Sequence, residues 1–155
     1  MIKQVELYHG AVLARLVRGR ASRGVTIRAY EAGRSGYILN ESIGLYVKYS
    51  ANRMTPWSFS FSSEHQEEIS NLKSGCTAFF VVLVCGEDGI ACLSQLEYRA
   101  LLDDQFESTG WIRASRRARE KYLLTGSEAH RKFRVGDNEF PSKVHEALSM
   151  PSLEV

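Results

Sequence analysis

Long apolar runs, paired cysteines and an excess of one charge are all missing from this chain of 155 residues. The longest uninterrupted apolar stretch, Ala78 to Cys85, is eight residues, against the ~18 that a membrane-crossing helix needs. Met1-Ile2-Lys3-Gln4-Val5-Glu6 carries no signal-peptide core, so the expected location is cytoplasmic, with no membrane partner. Cys76, Cys85 and Cys92 are odd in number and form no C-x-x-C pair, which argues against a secreted disulfide framework and a zinc knuckle. A two-residue turn at Asp88-Gly89 would bring Cys85 opposite Cys92, as small side chains in a reducing compartment. His9, His65, His130 and His145 are scattered, without H-E-x-x-H spacing. Nor is there a G-x-S-x-G elbow, a P-loop or a G-x-G-x-x-G turn, so acyl-transfer and nucleotide-dependent chemistries have no foothold.

What remains is the composition of a globular domain, 44% hydrophobic and 25% charged. A chain of this length buries roughly 70% of its unfolded surface, enough for one core, and residues 1–155 are read as a single domain. The net charge of +2 hides a pattern. Residues 1–34 hold 7 basic and 2 acidic side chains, residues 35–110 hold 4 and 10, and residues 111–155 hold 9 and 6. Basic ends thus flank an acidic middle, and the two ends are expected to converge beside one strand.

Val5, Tyr8, Val12 and Leu16 follow helical spacing and predict a helix over about residues 3–18. His9 on that helix reads as a buried histidine with its hydrogen bonds satisfied. The period then changes to two. Residues 25–31, 36–40 and 44–50 read as three strands of a meander, and Trp57-Ser58-Phe59-Ser60-Phe61 as an edge strand or packed arm. Ser63 and Gln66 are placed as a capping box for a second helix. Ala78–Cys85, apolar on both faces, predicts a central strand, with residues 90–93 returning beside it and a third helix from Ser94 to Leu102. Short strands follow at 111–115, 121–124 and 133–135, with a small helix from Phe140-Pro141. The fold class is α/β: a mixed sheet with an α-β-β-β-α-β core over residues 3–110 and a basic, β-rich extension at 111–155 packed on it.

That order, with Leu45-Tyr46-Val47-Lys48-Tyr49-Ser50 followed by Trp57, Phe59 and a helix, resembles the restriction-endonuclease-like superfamily, the PD-(D/E)XK nucleases. The resemblance covers about residues 3–100. It implies phosphodiester hydrolysis with Mg²⁺ or Mn²⁺ held by carboxylates and a strand lysine that orients water or stabilises charge. Lys48 matches the lysine, because residues i and i+2 of a strand share a face. Tyr46 stands where the family has a carboxylate. Glu31, Glu41 and Glu64 are the acids that the resemblance offers as metal ligands, with Asn40 an alternative occupant of one position, and Glu41 and Glu64 join Lys48 as catalytic candidates. Glu6 matches an acid of the family's first helix.

Arg18, Arg20 and Arg23 form one basic cluster, in a Gly- and Ser-containing loop suited to phosphate contact. Arg113, Arg116, Arg117, Arg119 and Lys121 form a denser one, with Trp111 and Tyr122 at its edges, and arginines beside aromatics suit phosphates and stacked bases. The expected partner is nucleic acid, with a second copy of the chain or another protein as a further partner. The alternative is a non-catalytic interaction or accessory module of the phage-defence type, docking through the Trp57-Phe59-Phe61 face or a sheet edge.

Overall fold

The computed structural model describes residues 1–19, 23–31, 33–103, 108–128 and 132–150. The fold is α/β, built from α1 (Gln4–Arg18), β1 (Ile27–Ala29), β2 (Gly36–Leu39), β3 (Ile43–Ser50), β4 (Trp57–Phe61), α2 (Ser63–Ser74), β5 (Ala78–Cys85), β6 (Gly89–Ser94), α3 (Gln95–Leu101), β7 (Gly110–Ser115), β8 (Tyr122–Gly126), β9 (Phe133–Val135) and α4 (Glu139–Ser149). Among the described residues no helix is long and apolar enough to cross a membrane.

The strands form two sheets. The first has the order β1-β2-β3-β5-β6, antiparallel except where β3 runs parallel to β5, from Ile43 opposite Ala78 to Ser50 opposite Cys85. The second is antiparallel, β4-β7-β8-β9. Alternation along β3 and β5 divides the core in two. Leu45, Val47, Phe80, Val82 and Val84 pack with Val12 and Leu16 of α1 and Val144 of α4. Tyr46, Phe79, Val81, Leu83 and Cys85 pack with Ile69 and Leu72 of α2, Tyr98 and Leu101 of α3, and Phe59, Phe61, Ile112 and Leu124 of the second sheet. The first sheet is therefore covered on both faces, as its apolar central strands require.

Several local expectations change. Trp57-Ser58-Phe59-Ser60-Phe61 is the edge strand β4 of the second sheet, paired with β7 alone, but its aromatics are buried and so offer no docking face. The capping box of α2 starts one residue earlier. The Ser62 hydroxyl accepts the His65 amide at 3.1 Å, and His65 Nδ1 accepts the Ser62 amide at 3.3 Å, so a histidine performs the task usually given to Glu or Gln. Gln66, displaced from that role, is buried and donates to the carbonyls of Phe61 and Ser108. The β5–β6 turn is Gly86-Glu87-Asp88, one residue longer than a two-residue turn, with Gly86 at φ +54° where an added Cβ would strike the Asn52 carbonyl. Cys85 consequently sits opposite Gly89 and Cys92 opposite Val82. The two sulfurs belong to different core layers and cannot meet.

Candidate functional site

The conformational opening of the site lies where β2 stops. Gly36 pairs with Tyr46, and the last ladder contact is the Val47 amide to the Ser35 carbonyl, so the C-terminal end of β3 is left without that neighbour. Open α/β sheets characteristically place ligands at the carboxyl ends of their parallel strands. Tyr46 and Lys48 leave β3 on the side facing α2, from whose first turns come Glu64, His65 and Glu68. The 30–35 connection supplies Glu31, Arg34 and Ser35. Together with Gly33 and Tyr46 these residues line a cavity of about 480 Å³. Gly33 lets the wall close, because a Cβ there would lie 2.8 Å from Glu68 Oε2.

Hydrogen bonds fix the interior of this cluster. The Tyr46 hydroxyl donates to Glu68 Oε2 at 2.8 Å, and burial followed by that bond pushes the phenol well above its ordinary range. The residue standing at the resemblance's carboxylate position is thus a neutral donor that ties up a carboxylate. Lys48 Nζ donates to His65 Nδ1 at 3.3 Å and lies 5.3 Å from the centre of the Phe61 ring. Burial lowers the Lys48 pKa, and the Glu68 charge opposes that shift.

Of the acids expected beside Lys48, Glu31 and Glu64 do line this cavity, whereas Glu41 does not. Glu41 sits in the β2–β3 turn at φ +58° and forms an exposed ion pair with Arg28 at 2.9 Å. Asn40 beside it pins the chain before β1, its side-chain oxygen accepting the Thr26 amide at 2.8 Å. Glu68, absent from the expected set, is the acid most firmly placed. Its spacing of four from Glu64 and three from His65 puts all three on one face of α2, a signal already present in the sequence. Glu68 Oε2 accepts from the Tyr46 phenol, and among the described residues no group of three or more His, Cys, Asp or Glu is placed to hold a metal ion.

The basic clusters separate. Arg18 ends α1, which packs with α4, and Arg23 donates to Ser149 at the end of α4 at 3.3 Å. Arg20 lies outside the described residues. The second sheet packs on the opposite face of the first, so the two basic ends do not converge beside β3. Arg116 is also withdrawn from solvent. Its guanidinium bridges Asp88 at 2.8 Å and Asp137 at 2.9 Å, and stacks 4.1 Å from the centre of the Tyr122 ring. Tyr122 is buried, donating to Asp88 at 2.6 Å, and is not an accessible edge of the cluster. Lys121 lies toward Gly136 and Glu139. Arg119 is an exposed turn residue at φ +70°.

A different basic surface emerges from β-sheet alternation. Trp111 and Arg113 point outward from β7, opposite Ser60 and Ser58 of β4, and Arg113 is paired with Thr125 of β8. Arg134 continues the row from β9, opposite Leu123. Arg117 shares with Arg134, Leu123 and Ser115 a shallow depression that Glu120 also borders. The Arg113 guanidinium lies 5.3 Å from the Trp111 ring centre and donates to Ser58 at 3.4 Å. Comparison with family models, with curated proteins and with solved structures gave no match to this chain.

Proposed function

We infer that this protein binds single-stranded nucleic acid on the outward face of its second sheet. The observation that carries the reading is Trp111: 40% exposed on a flat antiparallel face, braced by Arg113 and flanked by hydroxyls and further arginines. An indole offers a stacking platform to an unpaired base, and arginines alongside it offer bidentate contacts to phosphates. The other tryptophan, Trp57, is 2% exposed, so quenching of the exposed indole reports directly on this face. Titration with a labelled oligonucleotide should give saturable quenching and anisotropy, both lost in Trp111→Ala with Arg113→Glu. Quenching unaffected by added oligonucleotide would refute it. Binding that ignores salt would instead favour the protein-partner reading.

A nuclease is the second reading, favoured by Glu31 and Glu64 facing one cavity next to the Lys48 strand and by the order α1, β1, β2, β3, α2, β5 around the first sheet, with β4 of the second sheet inserted before α2, which resembles the PD-(D/E)XK nucleases. Its sign would be Mg²⁺- or Mn²⁺-dependent cleavage abolished by Lys48→Ala. The same oligonucleotide recovered intact after incubation with either metal leaves binding without hydrolysis.

A further inference from the structure

The outward row that carries Trp111 runs on toward the β7–β8 connection. Residues 111, 113 and 115 alternate outward along β7, and Ser115 lies opposite Leu123 of β8, which in turn lies opposite Arg134 of β9. Trp111 and Ser115 are four residues apart on one strand, about 13 Å, so an oligonucleotide laid along β7 meets two separate places on the sheet. Beyond β7 the chain turns. The Glu120 amide donates to the Arg117 carbonyl at 3.1 Å, and a turn closed in this way keeps its first and last Cα atoms within about 7 Å, which sets Arg117 and Glu120 side by side. With Leu123 and Arg134 they border the depression, whose volume is about 250 Å³. Arg116 also reaches it, but its guanidinium is committed to Asp88 and Asp137.

Phosphate alone does not account for this set of side chains. Arg117 and Arg134 are exposed, without a side-chain partner among the described residues, and both suit phosphate. Glu120 is equally exposed and unpartnered, yet its charge would repel a phosphate at the same spot. Leu123, half-buried in the sheet surface, gives the depression an apolar floor. An apolar floor, one strong acceptor and two cations at the rim match a nucleobase with its neighbouring phosphates: the ring lies flat, its edge donors meet the carboxylate, and the phosphates find the arginines. The carboxylate also discriminates. Guanine sets N1–H and N2–H₂ next to each other on its Watson–Crick edge, two donors for two carboxylate oxygens, whereas adenine and cytosine set one amino group beside an acceptor nitrogen, and thymine sets N3–H between two carbonyls.

We propose that this depression is a guanine subsite, the base lying over Leu123 and donating N1–H and N2–H₂ to the Glu120 carboxylate while Arg117 and Arg134 hold the phosphates on either side. The subsite rests on single-strand binding by this face and adds a base preference to it. Glu120→Gln separates the two roles that the acid could have. Removing the charge of a mere surface acid among phosphate contacts tightens binding of every sequence alike, whereas removing a guanine acceptor tightens only the strands that lack guanine.

The test measures fluorescence anisotropy and tryptophan quenching at constant salt for a labelled oligothymidylate and for the same strand carrying one guanosine or one inosine, which lacks the N2 amino group. The guanosine strand should bind about tenfold tighter than the oligothymidylate, the gain expected for hydrogen bonds to a charged group, and the inosine strand should lose most of that gain. Glu120→Gln should abolish the preference and tighten the oligothymidylate. Glu120 is exposed and contributes to the turn through its backbone, so the variant keeps the fold. Equal affinity of the wild type for all three strands, or a guanosine preference that survives Glu120→Gln, would overturn the subsite; quenching that persists in either case leaves the binding face standing. No quenching by any strand would refute the face, and the subsite with it.

Discussion

Salt dependence gives the binding face its most quantitative test. Three basic side chains, Arg113, Arg117 and Arg134, project from the outward side of the second sheet or border its depression, while Arg116 is neutralised by Asp88 and Asp137. For single strands, each phosphate neutralised contributes about −0.7 to the slope of log K against log salt, so three contacts give a slope of about −2. Raising salt from about 50 to about 200 mM should then weaken binding roughly 20-fold. Arg113→Gln should reduce the slope to about −1.4. Trp111→Ala should behave differently, losing about 1–3 kcal/mol, or about 5- to 150-fold in affinity, with the slope unchanged, because stacking releases no counterions. Fluorescence anisotropy of a labelled oligonucleotide across a salt series measures both quantities. If Arg116→Gln, in a fold shown to be intact, flattens the slope as much as Arg113→Gln does, the buried ion-pair assignment and the choice of face are both wrong.

Other consequences concern stability and reactivity. Arg116→Ala leaves Asp88 and Asp137 without their shared cation; because the guanidinium is 11% exposed but the carboxylates are 34% and 47% exposed, the cost is about 2–3 kcal/mol, less than for a fully buried pair. In a chain of this size that lowers the melting temperature by about 4–12 °C, and an unchanged thermal melt would contradict it. Burial pushes the Cys85 and Cys92 thiols up to about 12, so under native conditions Cys76 should react with a thiol reagent well before the other two, as peptide mapping of the labelled protein will show. Rapid labelling of Cys92 would refute that order. Lys48, its pKa lowered by burial, binds its proton less tightly folded than unfolded. Its contribution is therefore destabilising at neutral pH and is relieved as pH rises through the folded pKa toward the ordinary 10.5. Lys48→Met should be at least as stable as the wild type in urea at neutral pH and should lack that alkaline gain; a large loss of stability would mean that the ammonium holds the fold together.

Much of the architecture was legible because it rests on short-range rules. The period of two through Trp57-Ser58-Phe59-Ser60-Phe61 located β4, and the eight apolar residues Ala78–Cys85 marked a strand buried on both faces. The third helix starts at Ser94 as expected, where Ser94 and Glu97 form a capping box in the structure. The α2 box was displaced by one residue because the motif expects a Glu or Gln side chain, and His65 Nδ1 fills that place with the same hydrogen-bond geometry. The β1 strand is shorter than its β-prone stretch, three residues instead of seven, since only residues 27–29 find ladder partners on β2.

The site was only half legible. Lys48, Glu31 and Glu64 were visible as residue types beside a strand and at a helix start. That Glu41 turns away to Arg28, that Glu68 takes the Tyr46 phenol and that His9 meets the Tyr37 hydroxyl all depend on which side of a sheet a turn or helix covers. Charge was the least decidable property: the sequence by itself determined that both ends are basic, but a count of arginines cannot tell Arg113, open to solvent beside Trp111, from Arg116, closed between two aspartates. Local periodicity determined the strands, the helices and the faces they bury. Tertiary structure decided the partners, because an ion pair or a cavity is a contact between segments far apart in the chain, and the energy that selects it appears only once both have been brought together.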